Sequence, residues 1–280
     1  MKYLFSRYLA AIFALAAACF LVPATFAQET NSESLGVVKP TPTTEKTVIA
    51  VASFGNDGSA PTEFETMPRI IRRDLELSGF FKMPDDQRAA NRQNLQDVAN
   101  GNVDFEDWRE MGVDHYLMAN ISQPREDVLR AFVLLYDIET GKNIISQNID
   151  GSPSDVRGLA HTISDEVLRY LKGVEGFAHT QILFVNEKIP GIKEVAMLDA
   201  DGFNQTQITR YSNICTGPVW GANGGEIYYT SYHGNRANIY GHMLRTGDVW
   251  TIAGYGGTNH SPAWNQKNKR VVMVLSKDGG

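Results

Sequence analysis

The 280-residue sequence predicts an α+β amino-terminal domain, a mixed sheet with helices packed on it, followed by an incomplete all-β propeller. Three observations predict this. Residues 46–173 mix β-branched apolar runs with apolar stripes at helical spacing. After Gly173 the helical stripes stop, and short strands separated by glycine-rich turns take over. In that second part a single offset of 44 residues superimposes successive segments.

The first residues are expected to lie outside either fold. Lys2 and Arg7 precede a 14-residue apolar run and then "PATFA", the pattern of an export signal cleaved after Ala27. The run is shorter than the roughly 20 residues a membrane span needs, so an uncleaved anchor is the lesser alternative. Cys19 sits inside the apolar run, with Phe-Leu-Val after it, which argues against a lipid attachment site. Removing 1–27 takes away two basic residues and no acidic ones, moving the net charge from −6 to −8. Cys215 is then the one cysteine left, so no internal disulfide and no CxxC site can form. An exported, acidic chain without disulfides suits a bacterial periplasm. No basic stripe is visible, which excludes nucleic acid as a partner class.

Residues 28–45, "QETNSESLGVVKPTPTTE", are polar with two prolines and read as an extended arm. Thr47–Phe54 is a buried strand. Phe64, Met67, Ile71 and Leu75 form a helical stripe, opened either by Pro61 at its first position or by a Thr62/Glu65 capping box, and ended by Ser78-Gly79. "FFKMP" is a short strand or an extended piece, and 85–102 is a polar connection. "DFEDWREMG" is a short helix stopped at Gly112. "DHYLMANIS", "VLRAFVLLYDI" and "NIISQNID" are strands, the last two joined by a turn at Gly141. Ser152, followed by Pro153, is the expected cap of a helix whose stripe is Val156, Leu159, Ile163, Val167 and Leu171.

The repeat pairs Pro218 with Pro262, Trp220 with Trp264, and Ile227 with Val271, each 44 apart. It also pairs Leu183 with Ile227, Val195 with Ile239, and Ile208 with Ile252. Such a period with about four short strands is a propeller blade. The first blade starts in register with the second strand of the next, so its inner strand is expected from elsewhere, most simply from a C-terminal segment. About two blades and part of a third are expected in 174–280. Since a propeller needs at least four blades, the sequence reads as a piece of a longer protein.

Catalytic motifs are missing: the sequence has no GxSxG, HExxH, P-loop or SxxK pattern. Asp165-Glu166 reads as a solvated helix face, and Trp220 and Trp264 as blade packing. The histidines are dispersed, and His233 and His242 lack ligand spacing. Asp199 and Asp201 resemble a calcium loop, but Gly202 comes too early for one, and Asp-Gly fits a tight hairpin. No cofactor or metal is expected.

The segments "DADGFNQTQIT", "GPVWGANGGEIYYTS" and "SPAWNQKNKRVVMVLSKDGG" resemble the TolB family of periplasmic propellers, as do "WREMGVDHYLMANIS" and "GLAHTISDEVLRYLKGVEG" upstream. The resemblance covers roughly 46–280. Departures are "NQKN" in the blade turn and Gln181 where the family carries Arg. It implies an α/β domain followed by six blades, and no enzymatic activity. It implies two partners, the outer-membrane lipoprotein Pal and the inner-membrane protein TolA, with other outer-membrane proteins as further contacts. Roles in outer-membrane integrity and division would follow. Pal docking at the mouth of the channel would fall on Cys215, Thr216 and Gly217 and on Thr258, Asn259, His260 and Ser261. TolA engagement would fall on the arm: Gln28, Glu29, Thr30, Asn31, Ser32, Glu33, Ser34, Leu35, Gly36, Val37, Val38 and Lys39. The alternative is the propeller part of an exported prolyl-oligopeptidase-like peptidase.

Overall fold

The computed structural model describes residues 45–85 and 105–277. The expected export segment, the arm residues 28–44 and most of the polar connection after residue 85 lie outside the described residues.

The first sheet is built around β1 (Thr47–Val51), β2 (Gly55–Asn56) and β3 (Phe81–Lys82), with β4 (His115–Arg125), β5 (Val128–Asp137) and β6 (Lys142–Gly151). Its order is β3-β1-β4-β5-β6, with β2 pairing β4. β1 runs parallel to β3 and β4, while β4, β5 and β6 are antiparallel, so the sheet is mixed. Alternation along β4 sends Leu117, Ala119 and Ile121 to one face and Tyr116 and Met118 to the other.

Two helices cover the first face: α1 (Met67–Leu77) and, after the short helix α2 (Phe105–Glu110), α3 (Val156–Lys172). Met67, Ile71 and Leu75 of α1 meet Leu159, Ile163 and Val167 of α3 over β1, β4 and β5 in one buried cluster. On the opposite face Trp108 of α2 packs against Tyr116 with ring centroids 4.7 Å apart.

Helix starts differ from expectation in two places. Thr62–Thr66 is a 3-10 turn preceded by an extended Pro61, with no side-chain cap, so neither expected start is used. α1 begins later, with Pro68 in its first turn, where a missing N–H is harmless. The cap of α3 is Asp155, not Ser152: Asp155 Oδ1 accepts from Gly158 N at 2.8 Å. Ser152 O instead accepts from Asp155 N at 2.9 Å, forming the turn that delivers the cap. Gly173 ends α3 in the left-handed conformation, φ 66°.

The linker after Gly173 folds back along α3. Ala178 N donates to Asp165 Oδ1 at 3.0 Å, and Thr162 Oγ1 lies 3.1 Å from His179 Nε2. Asp165 therefore ties down the linker and is not the solvated face expected of it. A Cβ on Gly176 would stand 2.1 Å from Asp165 Cγ, so only glycine allows this approach.

The blades follow. β7 (Gln181–Ile189), β8 (Ile192–Asp199) and β9 (Thr206–Gln207) form a three-stranded sheet without an inner strand, as the repeat expects. β10 (Cys215–Trp220), β11 (Glu226–Ser231), β12 (Asn238–Met243) and β13 (Val249–Ala253) form a complete four-stranded blade. β14 (Asn259–Asn265) and β15 (Arg270–Leu275) pair as the start of another. Val195, Cys215, Ile227, Tyr229 and Tyr240 form the buried cluster of the first two blades, with Leu183, Ile208 and Trp220 packed against it. The packing role expected of Trp220 is met there. The repeat is visible in the backbone too. Gly217 (φ 57°) and Ser261 (φ 54°) occupy equivalent positions, and each sits in a register shift of its inner strand.

Candidate functional site

β8 gives the first blade two ends. One end is the turn after Asp199, which touches α3. The other is Lys193, which bridges Ile214 just before β10 begins. A strand of this length separates the two by about 20–25 Å.

The structure brings the two expected loop groups together at the end remote from α3. Thr216 pairs with Thr230, and Thr230 Oγ1 accepts from Ser261 N at 3.2 Å. Asn259 N donates to Ala237 O at 3.1 Å, which joins the third blade to the second. These residues lie within or just before the inner strands rather than in free loops. Gly217, Thr258 and Ser261 are exposed, and Thr216 and His260 are half-buried.

Cys215 and Asn259 are fully buried. Asn259 Nδ2 donates to Ala237 O and Tyr255 O, both at 3.0 Å, so its amide shapes the loop 255–258. Cys215 Sγ lies 3.3 Å from Ser231 Oγ. Burial pushes its thiol up, more than the hydrogen bonds from Ser231 and Thr209 pull it down. Glu194, also buried, gathers the neighbouring loop: Thr209 Oγ1 donates to Oε2, and Ser212 N to Oε1 at 2.7 Å. His233 is exposed and lies between the rings of Tyr211, 4.1 Å away, and Tyr240, 4.4 Å away.

The opposite end of the blade carries a cluster that reading the sequence missed. Gly202 (φ 91°) makes the turn after Asp199 tight, as the Asp-Gly pair suggests. That turn docks on the first turns of α3. Arg157 Nη2 donates to Asp201 Oδ2 at 2.7 Å and lies 3.9 Å from Asp199. The Arg157 guanidinium also lies 4.7 Å over the Phe203 ring. Arg157 Nη2 is 3.3 Å from His161 Nε2, and His161 Nδ1 is 2.7 Å from Asp74 Oδ2 on α1. Ser164 Oγ donates to the same Asp74 oxygen at 2.8 Å. The chain Asp74–His161–Arg157–Asp201 thus joins α1, α3 and the first blade.

The electrostatics follow from these contacts. Burial alone would lower the His161 pKa, but the hydrogen bond to Asp74 and its negative charge outweigh it, so the net shift is upward. Burial would raise Asp201, but the Arg157 hydrogen bond and the bond from Phe203 N hold its carboxyl below the usual range. Side-chain nitrogen and oxygen atoms of Asp74, His161 and Asp201 lie within 4.8 Å of one another. The guanidinium of Arg157 already supplies a cation there. Only the pair Asp199/Asp201 stood out in sequence, since the partners lie on two distant helices.

Comparison with known proteins fits this architecture. The sequence profile described as the TolB amino-terminal domain matches residues 39–144, and that described as the TolB beta propeller domain matches residues 168–280. A protein of Alcanivorax borkumensis named Tol-Pal system protein TolB is 28% identical over 235 residues, which is 82% of this chain and 52% of that protein. The protein of the same name from Rickettsia felis is 26% identical over 261 residues, 91% of this chain and 56% of its own. The chain thus spans about half the length of the curated relatives it matches. The crystal structure of TolB from Acinetobacter baumannii superposes with a TM-score of 0.71 at 23% identity, over 84% of this chain and 56% of that one, which supports the fold. With one TolB profile on the α/β part, another on the blades, and the two in the same order as the architecture, the chain belongs to the TolB family.

Proposed function

We propose that this chain is a non-enzymatic scaffold of the Tol–Pal system in the periplasm, linking Pal at the outer membrane to TolA at the inner membrane. The proposed roles are outer-membrane integrity and constriction at division. The observation that carries the reading is the convergence of 215–217 and 258–261 at the end of the blades remote from the α/β part. Residues at the entry of strands on a rigid scaffold are suited to recognition. Within them the exposed Gly217, Thr258 and Ser261 are the proposed contacts with Pal, while the buried Cys215 and Asn259 hold the loops in shape. TolA is proposed to engage the arm, residues 28–39. The relatives' shared name, Tol-Pal system protein TolB, supports membership of that system. Among the described residues no helix is long and apolar enough to cross a membrane.

The test uses the full-length protein. Thr258→Arg places a long charged side chain at the proposed mouth and is expected to weaken Pal binding about tenfold or more in calorimetry. Deleting 28–39 is expected to abolish TolA binding and leave Pal binding measurable. Unchanged Pal affinity in the first variant, or unchanged TolA affinity in the second, overturns the corresponding half.

A further inference from the structure

The cluster at the junction has two possible proton inventories, and the geometry distinguishes them. A guanidinium can only donate, so with Arg157 Nη2 at 3.3 Å the His161 Nε2 accepts. Nδ1 then carries the proton donated to Asp74 at 2.7 Å. This is the neutral ring. The cluster holds three carboxylates, Asp74, Asp199 and Asp201, and one guanidinium, and the ring can take up one more proton. That proton, on Nε2, would face an Arg157 N–H, so the present contact cannot persist once His161 is charged.

We propose that the junction is a proton-operated clasp. On protonation His161 turns its Nε2–H to Asp201, Arg157 moves over to Asp199, and an Asp74–His161–Asp201 bridge ties the first blade to the α/β part. The distances allow it. Side-chain nitrogen and oxygen atoms of Asp74, His161 and Asp201 already lie within 4.8 Å of one another, and Arg157 is already 3.9 Å from Asp199. A cleft of about 160 Å³, lined by Asp155, Arg157, His161, His179, Asp199 and Asn204, gives the guanidinium room to move and water a route to the ring.

The groups facing His161 come from every element packed on it. α1 contributes Asp74, and α3 contributes Arg157 and the Ser164 hydroxyl. The linker contributes His179, whose ring centroid is 5.6 Å away, and the blade contributes Asp201. Asp74 and Asp201 favour taking up the proton, and Arg157 opposes it. The upward shift of His161 agrees with this sign. A group raised in the folded state adds stability that is fully present below its unfolded pKa, near 6.5, and is lost as pH rises through its folded pKa. Only the charged ring can donate to Asp74 and Asp201 together, so the clasp is tighter at pH 6 than at pH 8.

The test is hydrogen exchange on the full chain between pH 5.5 and 8.5, corrected for the intrinsic rate, with ¹⁵N-histidine NMR on the same samples. Protection of the Gly202 and Phe203 amides, which donate to Asp199 O and Asp201 Oδ1, is expected to rise about threefold or more on acidification. The rise should track the His161 ring signals, with a midpoint above that of free histidine. His161→Gln should abolish the rise and leave protection of the β4 and β5 amides unchanged. His179→Gln should keep it. Asp201→Asn leaves His161 folded in place and is expected to lower its midpoint and flatten the turn's response. Flat protection in the parent chain, a rise that survives His161→Gln, or a His161 midpoint indifferent to Asp201→Asn overturns the clasp.

Discussion

The two halves of the molecule hold themselves together differently. In the α/β part, buried side chains from one face of the sheet and two helices merge into a large cluster, from Ile49 to Leu168, with a second around Trp108 on the other face. In the blades the corresponding cluster has five buried members, drawn from two sheets. A blade is thin, and its apolar face finds cover on the next blade rather than on a helix. At the end of the β7–β8 hairpin Ile189 is 59% accessible. The α/β part is thus stabilised by depth of burial, and the blades by their neighbours, including α3 at the junction.

The comparison can be broken most directly in the α/β core. Leu159, 2% exposed, packs on Gly151 as well as in the main cluster. Leu159→Ala is expected to cost about 2–5 kcal/mol, read from the urea midpoint, whereas Ile189→Ala should stay within about 0.5 kcal/mol. Equal costs would mean the halves do not differ as described. The next largest effect belongs to the junction. Arg157→Ala leaves the buried Asp201 carboxylate without its cation and removes the Phe203 contact. Loss of a buried partner costs about 3–5 kcal/mol, and Arg157 is partly exposed, so about 2–3 kcal/mol is expected, with the first blade losing exchange protection before the α/β sheet does. The smallest is local. Asp155→Ala removes the α3 cap and should cost about 1 kcal/mol, while Ser152→Ala, which keeps its backbone bond to Asp155, should cost less.

Legibility in the sequence followed range. The stripe of α3 and the 44-residue offset are periodic, so they could be read without knowing what they face. The equivalent bulges at Gly217 and Ser261 show that the offset reaches down to single backbone angles. The choice of Asp155 over Ser152 was not legible, because "SPSD" offers three good caps and the turn geometry selects one. Asp165 was misread because its partner, the Ala178 amide, carries no side-chain signal. The turn at Asp199–Gly202 was legible as a turn. Its docking on Arg157 was not, since that contact depends on how the linker folds back. The grouping of 215–217 with 258–261 was legible through the repeat, but the burial of Cys215 and Asn259 appears only once three blades are in place.

β8 has a geometric consequence. At one end it carries Asp199 of the clasp, and five positions earlier it carries Glu194, which anchors Thr209 and Ser212. β8 is paired along its length with β7 and rises about 3.3 Å per residue, which fixes the spacing between these two contacts. The contact with α3 and the anchor of the loop 208–214 thus sit on one continuous strand. Between the two faces of the first blade, β8 is a fixed spacer.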